Sequence, residues 1–191
     1  MVKAAHVAKA LGMNVIAYTA SPRDTAEKRK DTGFIVPGTG DPEGLIPTKW
    51  YSGTDKTSLH NFLDQDVDVL LVSVPLTKET RHLISTAEFD ILSKTKALII
   101  NIARGPIIDQ PALVAALHEG KLRGAALDVT DPEPLPKDDP LWSAPNVTIT
   151  PHVSGNGVNY VDRAFQVLEV NLDRRAKGEP LINVIDRKKG Y

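Results

Sequence analysis

The chain has 191 residues, 41% of them hydrophobic, so it can bury the core of one sizeable domain or of two small ones. Lys and Arg number 23 against 24 Asp and Glu, and the resulting net charge of −1 predicts no nucleic-acid partner. Cys is absent, which excludes disulfides, thiolate metal sites and a Cys nucleophile, and we expect no metal site. No apolar stretch reaches the ~20 residues of a membrane span. We therefore expect a cytoplasmic protein with no membrane contact.

Helical and strand-like patterns alternate along the chain. The elements predicted for the first half are a helix over residues 2–11 ended by Gly12, a strand over 14–18, a Gly- and Pro-rich loop over 31–56 with a short strand near Lys49–Tyr51, and a strand over 66–74 ended by Pro75.

The second half continues the same alternation. The elements predicted there are a short helix opened by a capping box at Ser85–Glu88, a strand over 96–102, a helix from Asp109 to Gly120, strands over 124–129 and 146–150, and a long helix over 157–176. Apolar strands that alternate with helices indicate βα units, and therefore an α/β fold with a parallel sheet.

Three polar residues each come shortly after one of the apolar runs: Arg104, Glu133 and His152. A ketone accepts a hydride only if its oxygen is protonated or hydrogen-bonded, which is a task for a His that donates a proton. A Glu on the other ring nitrogen would fix the tautomer, and the fork of an Arg would bind a substrate carboxylate. Alone, such an Arg is usually a surface ion pair and such a His a turn residue, but their shared place at strand ends favours a site for an α-keto acid.

A glycine pattern at Gly38–Gly44 has the look of a phosphate-binding loop. Its period is wrong by one residue, Pro42 interrupts it, and no long apolar-faced helix follows. We therefore predict a plain loop at this position.

The motifs at Asn101–Gly105, Asp131–Pro134 and Thr150–Gly155 resemble those of the D-isomer-specific 2-hydroxyacid dehydrogenases, near the glyoxylate and hydroxypyruvate reductases. The resemblance extends over nearly the whole chain. It implies a doubly wound, Rossmann-like parallel sheet and an NAD(P)-dependent oxidoreductase of small 2-keto and 2-hydroxy acids, with Arg104, Glu133 and His152 as the catalytic residues.

In that family the helix at residues 2–11 follows the first strand and the glycine-rich loop, so the resemblance implies a chain that lacks both. Residues 1–155 are then expected to form an incomplete dinucleotide-binding domain, and residues 156–191 a helix and tail that in the family pack on the substrate domain. We expect the isolated chain to be inactive and to bind cofactor weakly. The gap in the sheet is expected to close by direct pairing of strands 14–18 and 67–74 or by exchange of a segment within a homodimer.

Cofactor preference is predicted from Tyr18–Arg23. NAD-specific sites usually carry Asp or Glu at the end of this strand, whereas Ser21 and Arg23 could bind a 2′-phosphate, which favours NADP(H) over NAD(H). A helix cap and an ordinary surface Arg explain the two residues nearly as well.

Further cofactor-binding positions follow from the resemblance alone. They are Val74, Pro75, Thr80, Ile102, Ala103, Asp128 and Ser154. Thr80 and Asp128 could equally be turn residues that satisfy local backbone N–H groups.

Two alternatives to an enzyme stay open at this stage. One is a corepressor of the same fold, in which nucleotide binding serves a protein interaction, and the other is an interaction domain that uses the apolar stripe of the last helix. The four histidines other than His152 (His6, His60, His82 and His118) are expected at the surface, and the basic stretch 187–189 is expected to be a solvated terminus.

Overall fold

The computed structural model describes residues 2–187, so Lys188 and Lys189 of the basic terminus lie outside the described residues. The elements, in chain order, are α1 Val2–Ala10, β1 Ile16–Thr19, α2 Ala26–Arg29, β2 Lys49–Ser52, α3 Lys56–Leu63, β3 Val69–Val72, α4 Thr86–Leu92, β4 Leu98–Asn101, α5 Gln110–His118, β5 Gly124–Leu127, β6 Val147–Ile149 and α6 Tyr160–Ala176. Short 3₁₀ turns lie at Gly105–Ile107 and Pro140–Ser143. No helix in this range is long and apolar enough to cross a membrane.

These elements form two compact units. One contains Thr54–Gly155, and the other contains the residues up to Gly53 together with those from Asn156 onward. The first of these units carries a four-stranded sheet, and the second carries a two-stranded sheet and α6.

The sheet of the Thr54–Gly155 unit has the strand order β3-β4-β5-β6, and all its strands are parallel. Val69 pairs with Leu98, Leu98 with Gly124, and Ala125 with Val147, so the carboxyl ends of the four strands share one edge. The predicted parallel α/β architecture is confirmed. Side chains from strands, helices and turns fill its core, among them Phe89, Leu92, Ile99, Ile107, Leu113 and Leu141.

Local signals in the sequence placed several helix ends correctly. Gly12, two residues after the last residue of α1, has a φ of 84°, which is the left-handed cap expected of it. Ser85 and Glu88 form the predicted capping box of α4, and the Asp109 carboxylate caps α5.

The segment over residues 31–56 is the predicted loop with a short strand, up to Lys56, where α3 begins. Its short strand is confirmed as β2, which pairs in parallel with β1 from Ile16↔Lys49 to Thr19↔Ser52. The short helices α2 and α3, which lie on either side of this segment, were missed, although Asp55 caps α3 through the N–H of Ser58. The buried residues of α3, Leu59, Phe62 and Leu63, span little more than one turn, too short a stretch to show a helical period.

Direct pairing of the strands predicted at 14–18 and 67–74 does not occur in the described part of the chain. There β1 has β2 as its strand neighbour, and β3 has β4. This half of the expectation is therefore wrong, because the backbone ladder of β1 is formed with β2, the short strand predicted near Lys49–Tyr51. Exchange of a segment between two copies stays a prediction.

The predicted apolar stripe on the last helix is exposed. Val161, Phe165, Leu168 and Leu172 of α6 each have between 50% and 60% of their surface accessible. No described residue of α6 is buried.

Glu88 is buried at the start of α4, and its carboxylate accepts three hydrogen bonds. Oε1 accepts from His60 Nε2 at 2.6 Å and from Lys56 Nζ at 2.9 Å, and Oε2 accepts from the N–H of Ser85 at 2.9 Å. Burial raises the pKa of Glu88, but the bonds from His60, Lys56 and Ser85 together hold it below its ordinary value. His60 thus keeps part of its side chain exposed, as expected, but pairs with a buried carboxylate that the sequence did not predict.

Replacing Glu88 by Gln is expected to destabilise the chain at neutral pH by about 1.5–3 kcal/mol, the usual contribution of hydrogen bonds to a charged group. Because the folded pKa is lowered, the carboxylate stabilises the fold above the ordinary Glu pKa of about 4.3, and this contribution is lost as the pH falls through the folded value. The difference in unfolding free energy between Glu88→Gln and wild type should thus shrink from pH ~7 to pH ~3.5 in urea titrations. A constant difference would mean that Glu88 contributes no charge-dependent stability.

Candidate active site

Arg104, Glu133 and His152 lie on three successive loops of the Thr54–Gly155 unit. Arg104 follows β4, Glu133 follows β5 and His152 follows β6. Since β4, β5 and β6 are parallel neighbours, these loops leave the same edge of the sheet. Ligands of open parallel sheets bind at this edge.

Glu133 and His152 are in direct contact. His152 Nδ1 lies 2.8 Å from Glu133 Oε1, and both side chains are partly exposed, at 44% and 38%. A carboxylate only accepts hydrogen bonds when ionised, so Nδ1 carries the hydrogen and donates it. The other ring nitrogen, Nε2, is then the one that can exchange a proton with a ligand.

The backbone of His152 is held in an uncommon conformation. Its φ is 54°, in the left-handed region, and its N–H donates to the carbonyl oxygens of Asp128 at 2.9 Å and of Thr150 at 3.0 Å. These bonds attach the loop after β6 to the end of β5. The direction in which the His152 ring leaves the chain is therefore determined by the sheet.

Asp128 anchors the same loop through its side chain. It is buried, Oδ1 accepts from Thr150 Oγ1 at 2.6 Å and from the N–H of Val153 at 2.9 Å, and Oδ2 accepts from the N–H of Ser154 at 2.9 Å. Burial raises the pKa of Asp128, but hydrogen bonds from the Ser154 and Thr150 side chains and from the two N–H groups hold it well below its usual range. An ionised Asp128 cannot donate a proton, so it acts here as an anchor.

Asp128 satisfies backbone N–H groups, as the alternative interpretation of the sequence had it, but these groups belong to the loop after β6 and not to its own turn. Asp128 thus binds the loop of His152, and Ser154 is itself held through its N–H. Their contact with a cofactor stays a prediction.

The turn that presents Arg104 is closed by a buried amide. Asn101, the last residue of β4, accepts the N–H of Ala103 on Oδ1 at 3.0 Å and donates from Nδ2 to the Arg104 carbonyl at 3.1 Å. Arg104 is exposed, and its Nη1 donates to the Ala103 carbonyl at 2.6 Å. The backbone of Arg104 is thus fixed while its guanidinium is accessible to a ligand. Sequence reasoning gave Asn101 no role, although an amide that ends a buried strand is a signal for such a closed turn.

Gly105 allows two of the site loops to touch. A Cβ on Gly105 would lie 1.9 Å from the carbonyl oxygen of Thr130, in the loop after β5. The backbone of the Arg104 loop therefore packs directly on the backbone that leads to Glu133. Only glycine permits this approach.

Gly105→Ala is expected to destabilise the chain by about 1–3 kcal/mol, the usual cost of overpacking, because the added methyl meets backbone that cannot rotate away. Urea unfolding measures the loss. Gly157→Ala is the matched control, since a Cβ at Gly157 meets nothing within 4 Å and should leave stability within about 0.5 kcal/mol. Equal effects at the two positions would contradict the close approach.

The turn after β3 is ordered by one hydroxyl. Thr80 Oγ1 donates to the Pro75 carbonyl at 2.7 Å and accepts the N–H of Thr77 at 2.7 Å. Thr80, which the resemblance gave as a cofactor-binding position, therefore orders this turn. Val74 and Pro75 follow β3 and Ile102 and Ala103 follow β4, at the same edge of the sheet, and their contact with a cofactor stays a prediction.

Ser21 and Arg23 follow β1 in the other unit. The Arg23 guanidinium donates to the carbonyl oxygens of Lys28 at 3.1 Å and Arg29 at 3.2 Å, and it lies 5.5 Å from the centroid of the Trp50 ring. Arg23 is therefore half-buried and has a structural role at the end of α2. Its role toward a 2′-phosphate is untested by these contacts.

Comparison with known proteins identifies the family. Residues 45–154 match the family model described as D-isomer specific 2-hydroxyacid dehydrogenase, NAD binding domain. A glyoxylate reductase of Thermofilum pendens is 41% identical over 169 residues, which is 88% of this chain and 48% of that protein.

Solved structures agree with the sequence matches. A D-isomer specific 2-hydroxyacid dehydrogenase from Xanthobacter autotrophicus Py2, described in complex with NADPH and MES, aligns with a TM-score of 0.72 and 32% identity over 94% of this chain and 64% of its own. An NADPH-dependent glyoxylate/hydroxypyruvate reductase from Sinorhizobium meliloti, described with NADP and sulfate, aligns with a TM-score of 0.74 and 29% identity over 100% of this chain and 53% of its own.

The chain spans about half the length of the curated relatives it matches. The matched region contains all three loops of the candidate site, including Arg104, Glu133 and His152. By sequence and by fold, the chain belongs to the D-isomer specific 2-hydroxyacid dehydrogenases, within their NAD-binding domain family.

Proposed function

We propose that this chain is the NAD(P)-binding portion of an oxidoreductase that reduces a small 2-keto acid of the glyoxylate or hydroxypyruvate type and oxidises the corresponding 2-hydroxy acid. The observation that carries the proposal is the 2.8 Å bond between Glu133 and His152 at the carboxyl edge of a parallel sheet, with Arg104 on the neighbouring loop. Two of the relatives named above support the substrate class, because one is described as a glyoxylate reductase and the other as a glyoxylate/hydroxypyruvate reductase.

The residues at the sheet edge fit a nicotinamide cofactor. Val74, Pro75, Ile102 and Ala103 offer apolar groups at the ends of β3 and β4, and the adjoining loops supply hydroxyl and amide groups. Such a mixture suits an aromatic ring with a polar amide. When bound, the cofactor supplies or accepts the hydride.

The protein's own residues handle the proton and the carboxylate. In the direction of reduction, His152 donates a proton from Nε2 to the keto oxygen as negative charge develops there. The Glu133 carboxylate stabilises the imidazolium form before this transfer and fixes the ring afterwards. The Arg104 guanidinium binds the substrate carboxylate through two parallel N–H groups, which holds the keto carbon in place. In the direction of oxidation, neutral His152 accepts the proton.

NADP(H) is the proposed cofactor, in preference to NAD(H). The two solved relatives described above contain NADPH or NADP, and Ser21 and Arg23 stand at the strand end where NAD-specific sites usually carry an acidic residue. An Arg there is suited to a 2′-phosphate because its planar fork pairs with phosphate oxygens.

The experiment that tests both parts is a hybrid enzyme, because the chain covers about half of each curated relative. In the hybrid this chain replaces the 169-residue matched segment of the Thermofilum pendens glyoxylate reductase. We expect glyoxylate-dependent oxidation of NADPH with a larger kcat/KM than that of NADH. The unmodified relative is the control for assay conditions. A cooperatively folded hybrid without turnover would reject the proposed reaction, and a larger kcat/KM with NADH would reject the cofactor preference.

The corepressor alternative gains no support from the relatives named above. The division of the chain into a dinucleotide-binding domain over 1–155 and a C-terminal helix and tail over 156–191 stays a prediction. The homodimer and the cytoplasmic location also stay predictions, and light scattering on the purified chain tests the first of these.

A further inference from the structure

Gln110, the first residue of α5, is buried against the loop that carries Glu133. Its amide bridges the two ends of the segment 131–139. Oε1 accepts the N–H of Asp131 at 3.0 Å, and Nε2 donates to Asp139 Oδ2 at 3.2 Å. Because Glu133 lies between these two points, one side chain closes the segment that holds the site carboxylate.

The backbone of Gln110 is itself fixed by the start of α5. The N–H of Asp109 donates to the Ile84 carbonyl at 2.9 Å, and its carboxylate accepts from Ser85 Oγ at 2.9 Å and from the N–H of Ala112 at 3.3 Å. The position of Gln110 therefore does not depend on the segment that it bridges. It can serve as a fixed point for that segment.

The bond between Glu133 and His152 needs such a fixed point. The side chains of Glu133 and His152 are both partly exposed, so water competes for their hydrogen-bonding groups. If the loop of Glu133 were mobile, the entropy cost of ordering it would weaken the bond further. Asp128 fixes the loop of His152 through three hydrogen bonds. Gln110 does the corresponding work for Glu133.

We propose that Gln110 is a positioning residue for the imidazole of His152: its two-ended bridge keeps Glu133 in hydrogen-bonding distance of Nδ1 and so selects the tautomer with Nε2 open to the substrate. The role of His152 toward a substrate rests on the proposed function, whereas the contacts of Gln110, Glu133 and His152 do not depend on it. A merely structural role for Gln110 would change stability and leave the tautomer of His152 as it is.

The experiment reads that tautomer on the whole chain, without substrate or cofactor. Long-range ¹H–¹⁵N correlations in alkaline solution, where imidazoles are neutral, distinguish the two ring nitrogens of each His, and His152→Ala assigns the relevant signals. The wild-type chain is expected to show His152 with hydrogen on Nδ1. In Gln110→Glu this tautomer should give way to a mixture of both tautomers. The Gln110 amide that donates to Asp139 is then gone, and the new carboxylate repels that of Asp139. Gln110→Leu, which removes both bonds, should give the same loss.

A second substitution is expected to rescue the first. In Gln110→Glu/Asp139→Asn the donor and the acceptor change places: the amide introduced at position 139 donates to the new carboxylate, which still accepts the N–H of Asp131. The amide oxygen can also keep the bond that Asp139 Oδ1 accepts from the N–H of Leu141 at 2.8 Å. We expect the wild-type tautomer to return in this double variant.

Asp55→Ala is the matched control, since it removes the cap of α3 without touching Gln110, the start of α5 or the segment 131–139. It should lower the melting temperature and leave the tautomer unchanged. An unchanged tautomer in folded Gln110→Glu, or a loss of equal size in Asp55→Ala, would overturn the positioning role. If Gln110→Leu does not fold, Gln110→Glu and its rescue decide the matter. Because no turnover is measured, an inactive hybrid enzyme together with a tautomer change in Gln110→Glu would reject the proposed function and leave the role of Gln110 standing.

Discussion

Replacing His152 by Ala in the hybrid enzyme is expected to lower kcat/KM for glyoxylate by about 10²–10⁴-fold, the range that a positioned proton donor contributes. Since His152 Nδ1 is bonded to Glu133, Nε2 is the ring nitrogen left to exchange a proton with the keto oxygen. Steady-state oxidation of NADPH measures the loss. The effect should lie mainly in kcat, because the proton moves in the transition state and not in substrate binding.

Two further variants make this result specific. Glu133→Gln keeps a hydrogen-bond acceptor for Nδ1 but loses the charge that stabilises the imidazolium, so we expect a smaller loss in the same direction. His118→Ala removes an exposed imidazole at the end of α5 and should leave the rate unchanged. An active His152→Ala hybrid with wild-type kcat would remove His152 from the chemistry.

Arg104→Lys is expected to lower kcat/KM for glyoxylate by about 10²-fold or more, although the positive charge is kept. Hydrogen bonds to charged groups contribute about 1.5–3 kcal/mol each, and a Lys ammonium cannot reproduce the two parallel bonds of a guanidinium. The loss should appear largely as a higher KM. It should be much smaller for a neutral aldehyde without a carboxylate, so the ratio of the two kcat/KM values reports the contact directly.

Arg123→Lys is the matched control for that experiment. Arg123 comes directly before β5, at the opposite edge of the sheet, and its Nη2 donates to the Asp68 carbonyl at 3.2 Å. This variant should leave the preference for glyoxylate over the neutral aldehyde unchanged. An equal fall for both substrates in Arg104→Lys would indicate a role in loop structure and not in carboxylate binding.

Features encoded within a few residues were predictable from the sequence. The capping box at Ser85, the cap at Asp109 and the left-handed Gly12 each depend on neighbours within one helical turn, and all three are confirmed. The pairing of Glu133 with His152 was also expected, because residues at the ends of neighbouring parallel strands meet at one edge and their chemistry is complementary.

Contacts between loops far apart in the chain left no such signal. The bonds of Glu88 to His60 and Lys56, the approach of Gly105 to Thr130 and the bridge made by Gln110 depend on which loops become neighbours. No periodicity or cap encodes that choice. The helix α3 was hidden for a different reason, since it follows an irregular stretch and buries little more than one turn.

All the parts proposed for proton transfer and carboxylate binding lie on one uninterrupted stretch, Thr54–Gly155, together with the side chains that anchor them. Gene recombination with both breakpoints outside that stretch would carry the whole chemical module intact into a new host sequence. Breakpoints within it would separate pairs such as Gln110 with Asp139 or Asp128 with Thr150, whose side chains must match each other. Within this family, exchange of modules between genes should therefore be tolerated at the borders of this stretch and selected against inside it.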